Sequence, residues 1–307
     1  MQTTIRSAVT FTGTGLHSGA RVRMTVHPAS AEYGIWFRRT DVIGRDAMVQ
    51  AHWSAVENAR LCTEISNVAG VKVSTIEHLM AALAGCGVHN ALIEIDGPEV
   101  PILDGSSAPF AAAILARGVR ELEAPLRCFE VLKPVEVSEG GATARLEPAD
   151  TLEIDFEIDF VDAAIGRQHK RLSMANGTFL RELSDCRTFC RQADVDAMRA
   201  AGLALGGNPG ENAVVFDGDR VLSPGGLRRA DEPVRHKMLD ALGDLALAGA
   251  PILGRYTGLR AGHAMTNRLL RALFADPTAY RIVECDADRR SRLPGSGVNR
   301  ADIPAVA

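Results

Sequence analysis

Apolar and polar residues alternate through RVRMTV, where Val22, Met24 and Val26 interleave with Arg21, Arg23 and Thr25. They alternate again through TLEIDFEIDF, where Leu152, Ile154, Phe156, Ile158 and Phe160 oppose Glu153, Asp155, Glu157 and Asp159. A period of two marks a strand with one wetted face, so the acidic row is expected to be a solvated sheet face. GIWFR (34–38) and ALIEID (91–96) read as further strands, and AVVFDGDRVL (213–222) as a hairpin turning at Asp217-Gly218. Elsewhere the period lengthens to that of a helix. VKVSTIEHLMAALAG (71–85) starts as a short strand and becomes helical, with Ser74 or Thr75 as its cap and Leu79, Ala82 and Leu83 as its apolar stripe. Ser107 and Pro109 open an alanine-rich helix running to Arg117. DEPVRHKMLDALGDLALAG (231–249) has Pro233 where a helix begins and Gly249 where one ends. AGHAMTNRLLRALFAD starts a last helix at His263, and residues 177–201 read as partly helical.

The pattern resets at residues 121–133, which predicts a domain of residues 1–125 and another of 126–285. Each has strands and a helix pair, so the fold class is α+β: two domains of similar layered topology, each a mostly antiparallel sheet packed on a pair of helices. Residues 286–307 are polar, with Pro and Gly, and are expected to form a mobile tail.

Composition narrows the function. A net charge of −4 with no basic block argues against a general binder of nucleic acid or membranes. An aromatic content of 5% argues against base-stacking platforms. Six cysteines include no C-x-x-C pair, though Cys186 and Cys190 would share a face if helical. No signal peptide and no apolar run long enough to span a bilayer is visible, so a reducing, cytoplasmic setting is expected.

Three stretches carry candidate chemistry, each with a plainer alternative. His236, Asp240 and Asp244 recur every fourth residue and share one helix face; an imidazole and a carboxylate so spaced can converge on a cation, or simply form the charged stripe of a surface helix. Ser74-Thr-Ile-Glu77 is a capping-box pattern, in which Glu77 would reach back to the backbone of Ser74; alternatively His78 binds a metal and Glu77 accepts a proton beside it. TGTGLHSG (12–19) sets His17 among three glycines, either as a ligand-approaching turn or as an ordinary hairpin loop.

Taken together, STIEHLMAAL (74–83), VRHKMLDALGD (234–244) and GHAMTN (262–267) resemble the motifs of the UDP-3-O-acyl-N-acetylglucosamine deacetylases, zinc amidases of lipid A synthesis. The resemblance extends through TGTGLHSG, EVPILDGSSAPF (99–110) and RTFCRQAD (187–194), leaving only the tail outside. It implies that His78, His236 and Asp240 bind Zn2+ with a fourth position open to water. It further implies that Glu77 is the general base and His263 the general acid, oriented by Asp244, with Thr188 stabilising the oxyanion and Lys237 reaching the substrate's polar head. His17, Leu61, Cys62, Phe160, Phe189 and Asp194 match positions that line the substrate site. An inserted element at about 194–222 would form the passage for the acyl chain, with Met198, Ala201, Leu203 and Val214 as lining. Many relatives carry a lysine where this chain has Ala142, and Arg145 or another basic residue is expected to take over its contact with the diphosphate. A monomer with the site between its domains is the expected state.

Overall fold

A computed structural model describes residues 1–58 and 61–305. Ala59 and Arg60, and Val306 and Ala307 at the end of the expected tail, lie outside the described residues. Among the described residues six α-helices follow one another: α1 (Glu77–Gly85), α2 (Ala108–Arg117), α3 (Gln192–Ala200), α4 (Glu232–Leu245), α5 (His263–Ala275) and α6 (Ala287–Ser291). The sheets are mostly antiparallel, which bears out the α+β class.

Two larger sheets dominate. The first runs, in spatial order, Val9–Thr14, Arg21–Pro28, Ala91–Ile95, Ile35–Arg39 and Met48–Gln50. Its inner face carries Met24, Val26, Phe37 and Ile93, all fully buried, as the alternation in RVRMTV and ALIEID requires. The strand pair Thr3–Ile5 and Val119–Glu121 links the two ends of this half. The second sheet has seven strands, with Ile252–Leu259 central: it pairs with Arg127–Val131, Ala142–Glu147 and Leu152–Asp159. On Leu152–Asp159 the apolar row is buried as expected. The acidic row is half-exposed but engaged: Glu153 meets Arg171 and Arg255, Asp155 meets His169, and Glu157 meets Arg167.

The two helices with candidate ligands lie between these layers. Every residue of α1 except Ala84 is buried, and so is every residue of α4 except Lys237. A helix enclosed all round must be apolar or have its polar groups paired. The surface-helix alternative for 231–249 therefore does not hold. Helix α4 starts beside Pro233, and its last turn tightens before Gly249 ends it in the left-handed region, at φ 88°. The α1–α4 approach is close enough to require glycine: a Cβ on Gly243 would stand 2.1 Å from the carbonyl oxygen of Glu77.

Four local expectations are corrected. The hairpin at 213–222 pairs Asp217 with Arg220, so its turn is Gly218-Asp219, one residue later than expected. Cys186 and Cys190 share no helix, because the π-helical turn at Phe179–Leu183 ends before Cys186 and the chain is extended at Phe189–Arg191. Ser74 and Thr75 do not cap α1: its N-cap is Ile76, with no side-chain cap bond. The residues after Cys285 are not a loose tail. Leu293 is buried, Arg181 pairs with Asp302, Thr151 Oγ1 donates to the Arg292 carbonyl, and Gly295 lies directly against Gly87.

The Gly243 contact predicts that Gly243→Ala forces α1 and α4 apart. The expected loss is about 1–3 kcal/mol, as for other overpacked cores, read from denaturant midpoints at unchanged m-value.

Candidate active site

Helix α1 presents Glu77 and His78 in its first turn, α4 presents His236, Asp240 and Asp244 from one face, and α5 begins with His263. All six are buried. His236 Nε2 lies 3.3 Å and His78 Nε2 3.6 Å from Asp240 Oδ1. The two imidazole rings are 5.0 Å apart, edge to face. Asp240 Oδ1 is buried and has no hydrogen-bond partner among the described residues. Burying a carboxylate oxygen unpaired is costly, and His236 Nε2 cannot be its donor while neutral, because that ring's one N–H, on Nδ1, is directed at the Cys186 carbonyl. A cation resolves this. The three donor atoms lie within 4.8 Å of one another, and tetrahedral zinc with bonds of about 2.0–2.1 Å separates its ligands by roughly 3.4 Å. The residues fit a metal ion.

The tautomer is set from behind. His236 Nδ1 donates to the Cys186 carbonyl at 3.0 Å, leaving the Nε2 lone pair toward the site. Burial pushes His236 down to about 4, so it is neutral and ready to ligate. Burial alone would raise Asp240, but His236 and Lys237 hold it well below the usual carboxylate range; Lys237 Nζ donates to Asp240 Oδ2 at 2.7 Å.

Next to this cluster stand a carboxylate and a third imidazole. Glu77 Oε2 accepts the Thr63 backbone N–H at 3.0 Å, while Glu77 Oε1 stands 4.0 Å from His263 Nε2. Burial pushes the Glu77 carboxyl up. His263 Nδ1 bonds Asp244 Oδ2 at 2.8 Å, and Thr63 Oγ1 donates to Asp244 Oδ1 at 2.6 Å. Burial opposes charge on His263, yet Asp244 and Glu77 outweigh it and raise the group to about 9. Thr63 thus ties Glu77 to Asp244. Nothing in the sequence marked it, because its two partners lie 14 and 181 residues away. Glu77, by contrast, is not a capping residue.

These groups open onto a cavity of about 540 Å³, within the range of small-molecule sites. His17, Leu61, Phe160, Thr188, Phe189, Asp194 and Lys237 all line it. Cys62 does not: burial and the charge of Glu77 push its thiol up to about 12. Of the predicted apolar lining only Met198 is present. Ala201 is exposed and Val214 belongs to the core, and Val195, Ala204, Ala213 and Val215 form the wall instead. Leu203 is half-buried outside the lining. Arg145 is also elsewhere, paired with Glu136 and Glu147. The cation beside the Ala142 loop is Arg260, which lines the cavity and donates to the Gly141 carbonyl at 3.0 Å. One further feature sits at the entrance to α1. Thr75 has φ +57°, a left-handed conformation that costs a β-branched residue about 1–3 kcal/mol.

A buried two-imidazole, one-carboxylate donor set with a carboxylate and an imidazole alongside defines a candidate metal centre equipped for proton transfer. The sequence profile of the UDP-3-O-acyl N-acetylglycosamine deacetylases matches residues 2–275. UDP-3-O-acyl-N-acetylglucosamine deacetylase of Phenylobacterium zucineum is 52% identical over 92% of this chain and 96% of its own length. Those of an Anaeromyxobacter species and of Shewanella oneidensis are 44% and 43% identical, over 95% and 97% of this chain and 95% and 98% of their own lengths. The chain belongs to the UDP-3-O-acyl N-acetylglycosamine deacetylase family, and is a deacetylating hydrolase.

His236→Ala and Asp240→Asn are expected to bind no zinc at equimolar concentration, while Thr188→Ala binds one ion, measured by elemental analysis. Zinc at a hundredfold over its Kd should stabilise wild type and Thr188→Ala by about 2.7 kcal/mol by mass action, and the ligand variants not at all.

Proposed function

We propose that the protein is a zinc-dependent amidase that removes the N-acetyl group of UDP-3-O-acyl-N-acetylglucosamine, giving the free amine and acetate, the committed step of lipid A biosynthesis. The observation that carries this is the orphaned Asp240 Oδ1 facing two imidazole nitrogens at the end of a cavity with one apolar wall. His78, His236 and Asp240 hold the ion. When bound, zinc would acidify a water and polarise the acetamide oxygen.

Each remaining residue has a defined task. Glu77 takes the water's proton on Oε1, the oxygen not engaged by Thr63. His263, its Nδ1 held by Asp244, directs Nε2 toward Glu77 and gives its proton to the departing glucosamine nitrogen. Thr188 and Lys237 supply donors where negative charge develops. Phe160 and Phe189, packed edge to face at 5.5 Å, form an aromatic wall with His17, Leu61 and Asp194 around it. The acyl chain runs along Val195, Met198, Ala204 and Ala213, and Arg260 meets the diphosphate.

Residues 1–125 and 126–285 act as the two domains that the ion joins. The site is complete within one chain, which supports a monomer. No helix among the described residues is long and apolar enough to cross a membrane, and the six cysteines are free, which supports a cytoplasmic enzyme.

Glu77→Ala is expected to retain zinc and lose roughly two to four decades of turnover in a deacetylation assay; near-normal turnover would remove Glu77 from the chemistry. The pH profile should be a bell. Glu77 must be ionised, so activity rises with pH through its raised pKa. His263 must be protonated, so activity falls as pH rises through its own, and a bound cation draws both values down without exchanging them. Asp244→Asn removes the charge that raises His263 and should move the alkaline limb to lower pH.

A further inference from the structure

Glu99 takes no part in the chemistry above, yet it is 2% exposed and its two oxygens are both engaged. Oε1 accepts the backbone N–H of His17 at 2.8 Å and the Thr75 hydroxyl at 2.9 Å; Oε2 accepts the backbone N–H of Ser18 at 2.8 Å. A carboxylate filled by donors from two separate segments fixes them relative to each other. The fit is tight enough to dictate a residue: a Cβ on Gly15 would lie 2.3 Å from Glu99 Oε2.

The two segments matter because of what they carry. Thr75, in its left-handed conformation, is two residues ahead of Glu77, so its backbone sets how the chain enters α1. A strained residue persists only where its surroundings hold it, and the bond from the Thr75 hydroxyl to Glu99 is such a hold. The backbone of Glu99 adds a bridge to Ser74. On the other side, the 15–18 turn brings His17 to the cavity, with both ring nitrogens buried and unpartnered among the described residues. That turn also accepts from the 194–222 element: Leu205 and Gly206 donate their N–H groups to the carbonyls of His17 and Leu16.

We propose that Glu99 is a positioning residue of the deacetylation site, holding Thr75 so that Glu77 is aimed, and holding the 15–18 turn so that His17 and the acyl wall keep their place. This rests on the function proposed above. The two arms separate kinetically: the Thr75 arm governs kcat and the His17 arm governs KM.

Three variants, assayed per bound zinc, test this. Thr75→Val deletes the first arm while keeping the side chain's volume at the cavity wall, and is expected to lower kcat by a larger factor than it changes KM. Glu99→Gln puts an amide donor against a backbone donor, and is expected to lower kcat roughly ten- to a hundredfold, as for a misplaced catalytic group, and to raise KM several-fold. Thr75→Gly with Glu99→Gln lets residue 75 adopt positive φ without strain, and is expected to regain kcat while KM stays high. Hydrogen exchange supplies a readout independent of turnover: Glu99→Gln should speed exchange at 16–18 and 75–77 and leave 79–85 protected. Wild-type kcat and KM in Glu99→Gln, with only its thermal midpoint lowered, would overturn the proposal, as would exchange that rises evenly across residues 1–125. Were wild type itself inactive on the acylated substrate, the function would fall while the exchange pattern still decided the role of Glu99.

Discussion

The arrangement depends on two helices being allowed to touch backbone to backbone. Gly243 lets α4 come against the start of α1, and only at that separation do His78 and the His236–Asp240 pair share one volume. The consequence is electrostatic. Three carboxylates, Glu77, Asp240 and Asp244, are buried beside a single ammonium, Lys237. Burying that imbalance is expensive, and the protein offsets it in two ways. His263 retains its proton to an alkaline value, and the His78, His236 and Asp240 cluster offers a seat where a cation would offset what remains. The chemistry and the packing therefore draw on the same set of charges.

A second layer of contacts keeps the halves in register around this point. The loop at 101–107 is held from outside by Arg228, whose two terminal guanidinium nitrogens each reach Asp104 Oδ2 at 3.0 Å, and braced from within by Ser106, whose hydroxyl donates to Asp104 Oδ1. From that loop the Gly105 carbonyl accepts the Thr188 N–H, and the Ser107 hydroxyl donates to the His78 carbonyl. One short segment thus supports both Thr188 and His78, so neither relies on its own helix or strand alone for orientation.

Much of this was legible in the sequence where the signal is periodic. The strands at 21–28 and 152–159, the Pro233-to-Gly249 helix and the His236/Asp240 spacing all follow from local pattern. Glu77 shows where local pattern misleads. Ser74 and Glu77 have the spacing of a capping box, but the cap does not form, because Thr75 is turned into the left-handed region with its hydroxyl bound to a carboxylate 24 residues on. Thr63, Arg260 and the Val195–Val215 wall escaped notice for a related reason. Their roles come from long-range contacts, and side chains in the 194–222 element could be core or cavity wall by composition alone.

Two glycines, Gly87 and Gly295, meet just beyond the end of α1. Both have positive φ, at 66° and 80°. The segment around Gly295 is thereby a wedge under the end of α1, although it lies far along the chain from the glycine it meets. A side chain at Gly295 would collide with the Gly87 backbone and so loosen the far end of the helix that begins at Glu77.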